Sequence, residues 1–279
     1  MKAKLTILCE NSVGRPFGVV GEHGFACFIE TDAGNLLFDT GQGIGICGNA
    51  AAMGKDLGSV GAIAISHGHY DHTGGLPQVL NQTGPVMVYG HPDMFAARTW
   101  SDGQSTRYIG MRHRRGYLES LGARFELVRH PVEISPGIHL TGEIPRTNDF
   151  ERPDANMALH PEDGGAVVSP DPIADDLSLV VDSTRGLIVV LGCAHAGMIN
   201  IFDHVLSTFN RDRIHAVIGG THLGFSQPAQ FEETLAAIDR YGIQKMGVSH
   251  CTGLEKAAVL HARLGERFFF GCVGAELEG

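Results

Sequence analysis

The run Ser66-His67-Gly68-His69-Tyr70-Asp71-His72-Thr73-Gly74-Gly75 packs three imidazoles and a carboxylate into the six positions from 67 to 72. In extended chain His67 and His69, at i and i+2, point the same way and can grip one divalent ion. Asp71 and His72 fall beyond the bend and can reach a second. Gly68, Gly74 and Gly75 permit that bend. The chemistry of such a donor set is metal-ion catalysis, in which the ion lowers the pKa of a bound water from ~15.7 to about 7 and makes a nucleophile available at neutral pH. The alternative is a surface histidine cluster, or core histidines satisfied by backbone carbonyls.

These residues need elements to hold them. Four apolar runs stop in a small residue and then deliver a histidine: AIAIS-His67, VVLGCA-His195, VIGGT-His222 and MGVS-His250. Carboxyl ends of strands are where α/β sheets place their ligand chemistry, so the four loops are expected to converge. Val- and Ile-rich runs predict strands at Leu5 to Cys9, Phe25 to Glu30, Asn35 to Phe38, Val60 to Ile65 and Val86 to Tyr89. A second set is expected at Ile138 to Thr141, Leu177 to Val181, Leu187 to Leu191, Ile214 to Ile218, Lys245 to Val248 and Arg267 to Phe270. Helices are expected at Leu76 to Leu80, Met198 to Ser207, Pro228 to Tyr241 and Leu254 to Leu264. The class is mixed α/β. The absence of a repeat or a low-complexity linker predicts one domain over 1-279. The stretches 92-116 and 145-172, poor in strand signal, read as lid-like excursions over a site.

Composition narrows the partners. Acids outnumber bases 31 to 21 in 279 residues, a formal charge of -10, which argues against nucleic acid or an anionic membrane as partner. With 43% hydrophobic and 19% charged residues, disorder is a poor explanation. Fifteen histidines against one tryptophan fit a metal role. Six scattered cysteines with no C-x-x-C pair read as reduced thiols. The apolar stretch near the start is too short for an export signal, and nowhere do some 18 apolar residues run together. A cytoplasmic protein is expected.

The pattern His67-x-His69-x-Asp71-His72 resembles the signature of the metallo-β-lactamase superfamily, and Asp39 in LLFDTG, His195 and His250 extend the likeness along the chain. That resemblance implies a four-layer αββα sandwich with a metal site, usually dinuclear, at the edge of its two sheets. His67, His69 and His195 would then bind the first ion and Asp71, His72 and His250 the second, with Asp39 in support. One or two divalent ions are implied, zinc foremost, with iron or manganese as alternatives. Most dinuclear members supply a bridging Asp in a Gly-Asp pair. Here the corresponding strand ends in Gly192-Cys193-Ala194-His195, so Cys193 is either a soft ligand or a small buried residue behind the ligands. The phrases ENSVG, GEHGFA, TGEIPR, GCAHAGMIN, GGTHLG and VSHCTG look like the branch named for 7,8-dihydropterin-6-methyl-4-(β-D-ribofuranosyl)-aminobenzene-5'-phosphate synthase.

The expected activity is a metal-dependent hydrolase acting on a small phosphoester or an acyl or lactone substrate, with Asp71 orienting the nucleophile. One alternative is a pterin-type transferase acting on a pyrophosphate-activated substrate. A diiron redox or sensing protein is another, although such relatives place Glu where His69 stands. His222 is assigned to substrate or oxyanion contact. Arg146, in TGEIPR, is the candidate for binding a phosphorylated small molecule, with pairing to Glu143 or Asp149 as the alternative. The basic run 111-115, with Arg98 and Arg107 before it, reads as a solvated face or an anion-steering rim. Gly43-x-Gly45-x-x-Gly48 matches a dinucleotide fingerprint, but the next strand ends in Ser66-His67 where an acid is needed.

Overall fold

A computed structural model describes residues 1-160 and 168-279. Both strand sets form sheets of seven. The first runs in the order Glu276–Glu278, Ala3–Cys9, Ala26–Thr31, Gly34–Phe38, Val60–Ala64, Val86–Gly90, Ala123–Leu127, antiparallel up to Gly34–Phe38 and parallel beyond it. The second runs Phe268–Phe270, Lys245–Ser249, Ala216–Gly220, Gly186–Leu191, Leu179–Ser183, Ile138–Leu140, Val132–Ser135, parallel across the first four strands and antiparallel across the rest.

The strands read as unbroken apolar runs because both faces are covered. Alternation assigns each side chain to a layer. Leu36, Phe38, Ile188 and Val190 meet between the two sheets. Leu37, on the opposite face, packs with residues of the helices Ile46–Ala52 and Leu76–Thr83. Leu187, Val189 and Leu191 pack with the helices Met198–Phe209, Pro228–Ala237 and Leu254–Leu264. The outcome is helix, sheet, sheet, helix, the four-layer αββα sandwich. No helix among the described residues is long and apolar enough to cross a membrane.

The two excursions contain strands that the sequence reading did not assign. Ala97–Ser101 pairs with Thr106–Tyr108 on one side and Met157–His160 on the other, and Ser169–Pro170 completes a four-stranded antiparallel sheet. Positions 161-167 of the second excursion lie outside the described residues. Arg98, read as part of a solvated basic face, is instead 1% exposed. Its guanidinium forks onto Asp175 at 2.6 and 2.7 Å and meets Asp171 at 2.9 Å. A buried charge is tolerable only when paired in this way. In the strand Phe268–Phe270, Phe268 is buried whereas Phe270 is 46% exposed. Gly45 precedes the helix Ile46–Ala52, and Gly43 before it packs against Gly74 and Gly75.

Candidate metal centre

Asp39, His67, Cys193, His195, His222 and His250 all follow strands that run parallel to a neighbour, so their loops open at the same end of the sandwich. Asp39, Ala194, His222 and His250 hold positive φ values of 60, 59, 55 and 51°. That conformation is costly for non-glycine residues and persists where surrounding structure enforces it. Here it turns the chain sharply out of each strand. Two glycines make room: a Cβ at Gly68 would collide with the Met94 carbonyl, and one at Gly192 with the Ser66 hydroxyl.

His67 Nε2 and His69 Nδ1 lie 2.9 Å apart, and the ring of His195 packs 4.8 and 4.9 Å from theirs. One nitrogen from each falls within 4.8 Å of the other two, a group able to hold an ion. Nε2 of His69 and Nε2 of His195 are buried with no hydrogen-bond partner, as are both ring nitrogens of His222. Buried polar atoms are rarely left orphaned; in a neutral imidazole the one nitrogen with a free lone pair can bind a cation, whereas the N–H nitrogen cannot. Burial lowers the pKa of His67 and His195 well below the ordinary value and that of His69 to about 3, so all three are neutral. The donor set fits a divalent ion such as zinc.

A second group gathers around Asp71. Its Oδ2 lies 3.2 Å from His250 Nε2 and 3.1 Å from His23 Nε2, and 3.9 Å from His72 Nε2. Burial pushes this carboxyl up, but His72, His23 and His250 outweigh it and hold it well below the usual carboxylate range. His72 donates through Nδ1 to Asp39 at 2.7 Å, which leaves Nε2 facing inward. Burial would lower the His72 pKa, yet Asp39 and Asp71 reverse the direction and raise it. Asp39 also accepts the Ser66 N–H and hydroxyl, each at 2.7 Å, and Ser66 Oγ sits 2.8 Å from His67 Nδ1. One carboxylate therefore orients both donor groups.

Cys193 lies between them. Its sulfur is 3.2 Å from His72 Nε2 and belongs to three ligand groups at once, with His67 and His72, with His195 and His222, and with His250 and Cys251. Burial and the neighbouring Cys251 raise its thiol pKa well above the ordinary value. Cys251 is hydrogen-bonded to the Cys193 carbonyl and accepts the His222 N–H at 3.2 Å, linking two site loops.

Arg146 pairs with neither Glu143 nor Asp149. Its Nη2 donates to the carbonyls of Pro172 at 2.7 Å and His195 at 2.9 Å, while Glu143 is taken by Arg129 and His91. The ring of His222 packs, tilted, 4.2 Å from that of His195 and 4.9 Å from that of Phe225.

Several supporting residues were not singled out in the sequence. Asp175 accepts the Gly68 N–H between His67 and His69, and Asp176 accepts the Ala196 N–H beside His195, each at 2.8 Å. Adjacent carboxylates thus pin both ligand loops. His250 is held by Glu10 at its backbone N–H and by Asn11 at Nδ1. Those two residues begin ENSVG and His23 belongs to GEHGFA, so both phrases carried a signal without showing what the residues touch.

The profile of the Metallo-beta-lactamase superfamily matches residues 20–196, more than half the chain. The chain belongs to that superfamily. It is 28% identical over 262 residues to 7,8-dihydropterin-6-methyl-4-(beta-D-ribofuranosyl)-aminobenzene-5'-phosphate synthase of Methanocaldococcus jannaschii, spanning 90% of this chain and 88% of the relative. The crystal structure of Tm1679, described as a metal-dependent hydrolase of the beta-lactamase superfamily, superposes with a TM-score of 0.84 at 27% identity over 99% of both chains. Zn(2+)-bound PqqB from Methylobacterium extorquens shares the fold at a TM-score of 0.54 and 12% identity, over 99% of each chain. The family and these names indicate an enzyme with a divalent metal site.

Proposed function

We propose that this protein is a metal-dependent hydrolase of a phosphorylated small molecule, with acyl or lactone substrates as the neighbouring class. The observation that carries the reading is two groups of buried donors, one all imidazole and one built on Asp71, that meet at Cys193 with several nitrogens unpartnered. His67, His69 and His195 would hold one ion, and Asp71, His72 and His250 a second. Cys193 stands where most dinuclear relatives place a carboxylate. Bound divalent ions supply a Lewis acid and a nucleophile at neutral pH.

The chain's own groups do the rest. Asp71, held as an anion, would orient the nucleophile by accepting its O–H at Oδ2. His23, about half exposed and 3.1 Å from that oxygen, offers a route for the proton to solvent. His222 brings one ring nitrogen within 4.8 Å of ligand atoms of Cys193 and His195, where it could donate to the oxygen that gains charge. Arg146, Asp175 and Asp176 keep the ligand loops in register.

A pterin-type transfer is the second reading, favoured by the identity to the methanogen synthase across most of both chains. Incubation of purified protein with phosphodiesters, lactones and a pterin pyrophosphate separates the two. Hydrolysis proceeds without an arylamine acceptor, whereas turnover that requires the acceptor would replace this reading with transfer. An as-isolated colour with iron and oxygen consumption would favour the diiron class instead.

A further inference from the structure

In a chain of formal charge -10, positions 106-115 hold four arginines, a histidine and no acid. This segment is laced to the metal loop: the Ile109 carbonyl accepts the Tyr70 N–H at 3.0 Å, Gly110 bridges to His69, and His113 Nε2 lies 3.3 Å from the Gly74 carbonyl. Arg115 is engaged by Glu119 at 2.8 Å and lies over Phe125. Arg107, Arg112 and Arg114 make no ion pair among the described residues. Arg112 sits 4.4 Å over the ring of Tyr70, the residue that precedes Asp71. A cavity of about 560 Å3 opens here, lined by Phe95, Tyr108, Met111 and the 112-115 run. That volume is in the range of small-molecule sites, roughly 300–1,000 Å3.

Guanidinium groups that lack an ion pair among the described residues and crowd one short segment repel one another, and an anion relieves that repulsion. Guanidinium forks match phosphate oxygens two at a time, and the rings of Tyr108 and Phe95 offer faces for a planar group. Resting on the hydrolase reading above, we propose that this cavity is the anion subsite of the substrate. It takes a phosphate or diphosphate handle that is not itself attacked, and the rest of the molecule reaches past Tyr70 to the donors around Asp71.

The test is calorimetric titration with inorganic phosphate of zinc-loaded wild type, of the double variant Arg112→Ala/Arg114→Ala, of the metal-site variant His67→Ala/His69→Ala, and of Arg124→Ala as an exposed control. Both arginines are exposed, so the double variant should keep the wild-type circular dichroism spectrum. The expected result is at least a tenfold loss of phosphate affinity in the double variant, no loss in Arg124→Ala, and binding that persists without the metal ligands. Phosphate binding unchanged by the double variant, or abolished only in the metal-site variant, would overturn the subsite. Arginine-dependent phosphate binding in a chain that hydrolyses none of the substrates above would leave the subsite standing and defeat the hydrolase reading. Hydrolysis of a phosphorylated substrate with KM unchanged in the double variant would do the reverse.

Discussion

Cys193 shows how a single side chain decides the character of this site. A carboxylate offers two oxygens to two ions, whereas one sulfur must lie close to both donor groups, and Cys193 does so by sitting among His67, His72, His195 and His250. If the sulfur ligates, cobalt-substituted protein will show a sulfur-to-cobalt charge-transfer band that Cys193→Ser abolishes. A spectrum indifferent to the substitution returns Cys193 to a packing role. A second residue-scale prediction concerns Asp176, whose carboxyl is pushed by burial from an ordinary 3.8 to about 7. Between those values the folded protein binds more protons than the unfolded chain, so this group's contribution falls as pH rises through the window. Asp176→Asn keeps an oxygen for the Ala196 N–H and removes the titration. In chelator-treated protein, urea midpoints measured from about pH 4 to about pH 7 should decline less in the variant than in wild type. His67, His69, Asp71 and His72 were legible because their ligand pattern is contiguous. His23 was hidden because its meeting with Asp71 is made by the fold across 48 residues, and Asp175 acts on a backbone N–H 107 positions away.

At the scale of elements, the strands of both large sheets could be read wherever a run is apolar and β-branched, and several bounds shift by only one or two residues. Ala97–Ser101 and Met157–His160 escaped because they are short, lack a β-branched apolar run and are stabilised by each other across the two excursions, a pairing with no local signature. Arg98 anchors that small sheet through Asp171 and Asp175, and Asp175 in turn holds the metal loop at Gly68. Arg98→Leu would leave two buried carboxylates unpaired, and a destabilisation of about 3–5 kcal/mol is expected in urea unfolding. A loss under about 1 kcal/mol would show that the pair is not structural. Glu151 plays a similar part at the start of Met198–Phe209, where its carboxylate accepts the N–H groups of Ile199 and Asn200 at 2.8 Å each. Replacing it with Ala should cost roughly 0.5–2 kcal/mol, the range for a lost cap, read as a lowered thermal midpoint.

The whole molecule brings strand ends from two sheets to one mouth, so donors from positions 39 to 250 assemble only when both sheets are packed together. The repeated ending of an apolar run in histidine made that convergence readable. Which of the assembled groups share an ion was not readable, because spacing along the chain carries no distance between loops. A metal centre at this mouth requires metal retention, and elemental analysis of zinc in dialysed protein measures it directly. We expect up to two equivalents per chain in wild type, loss of one in His250→Ala, and loss of the remainder when His67 and His69 are also replaced by alanine. Zinc content that is negligible in wild type, or unchanged across these variants, would contradict a metal centre at the mouth of the sandwich.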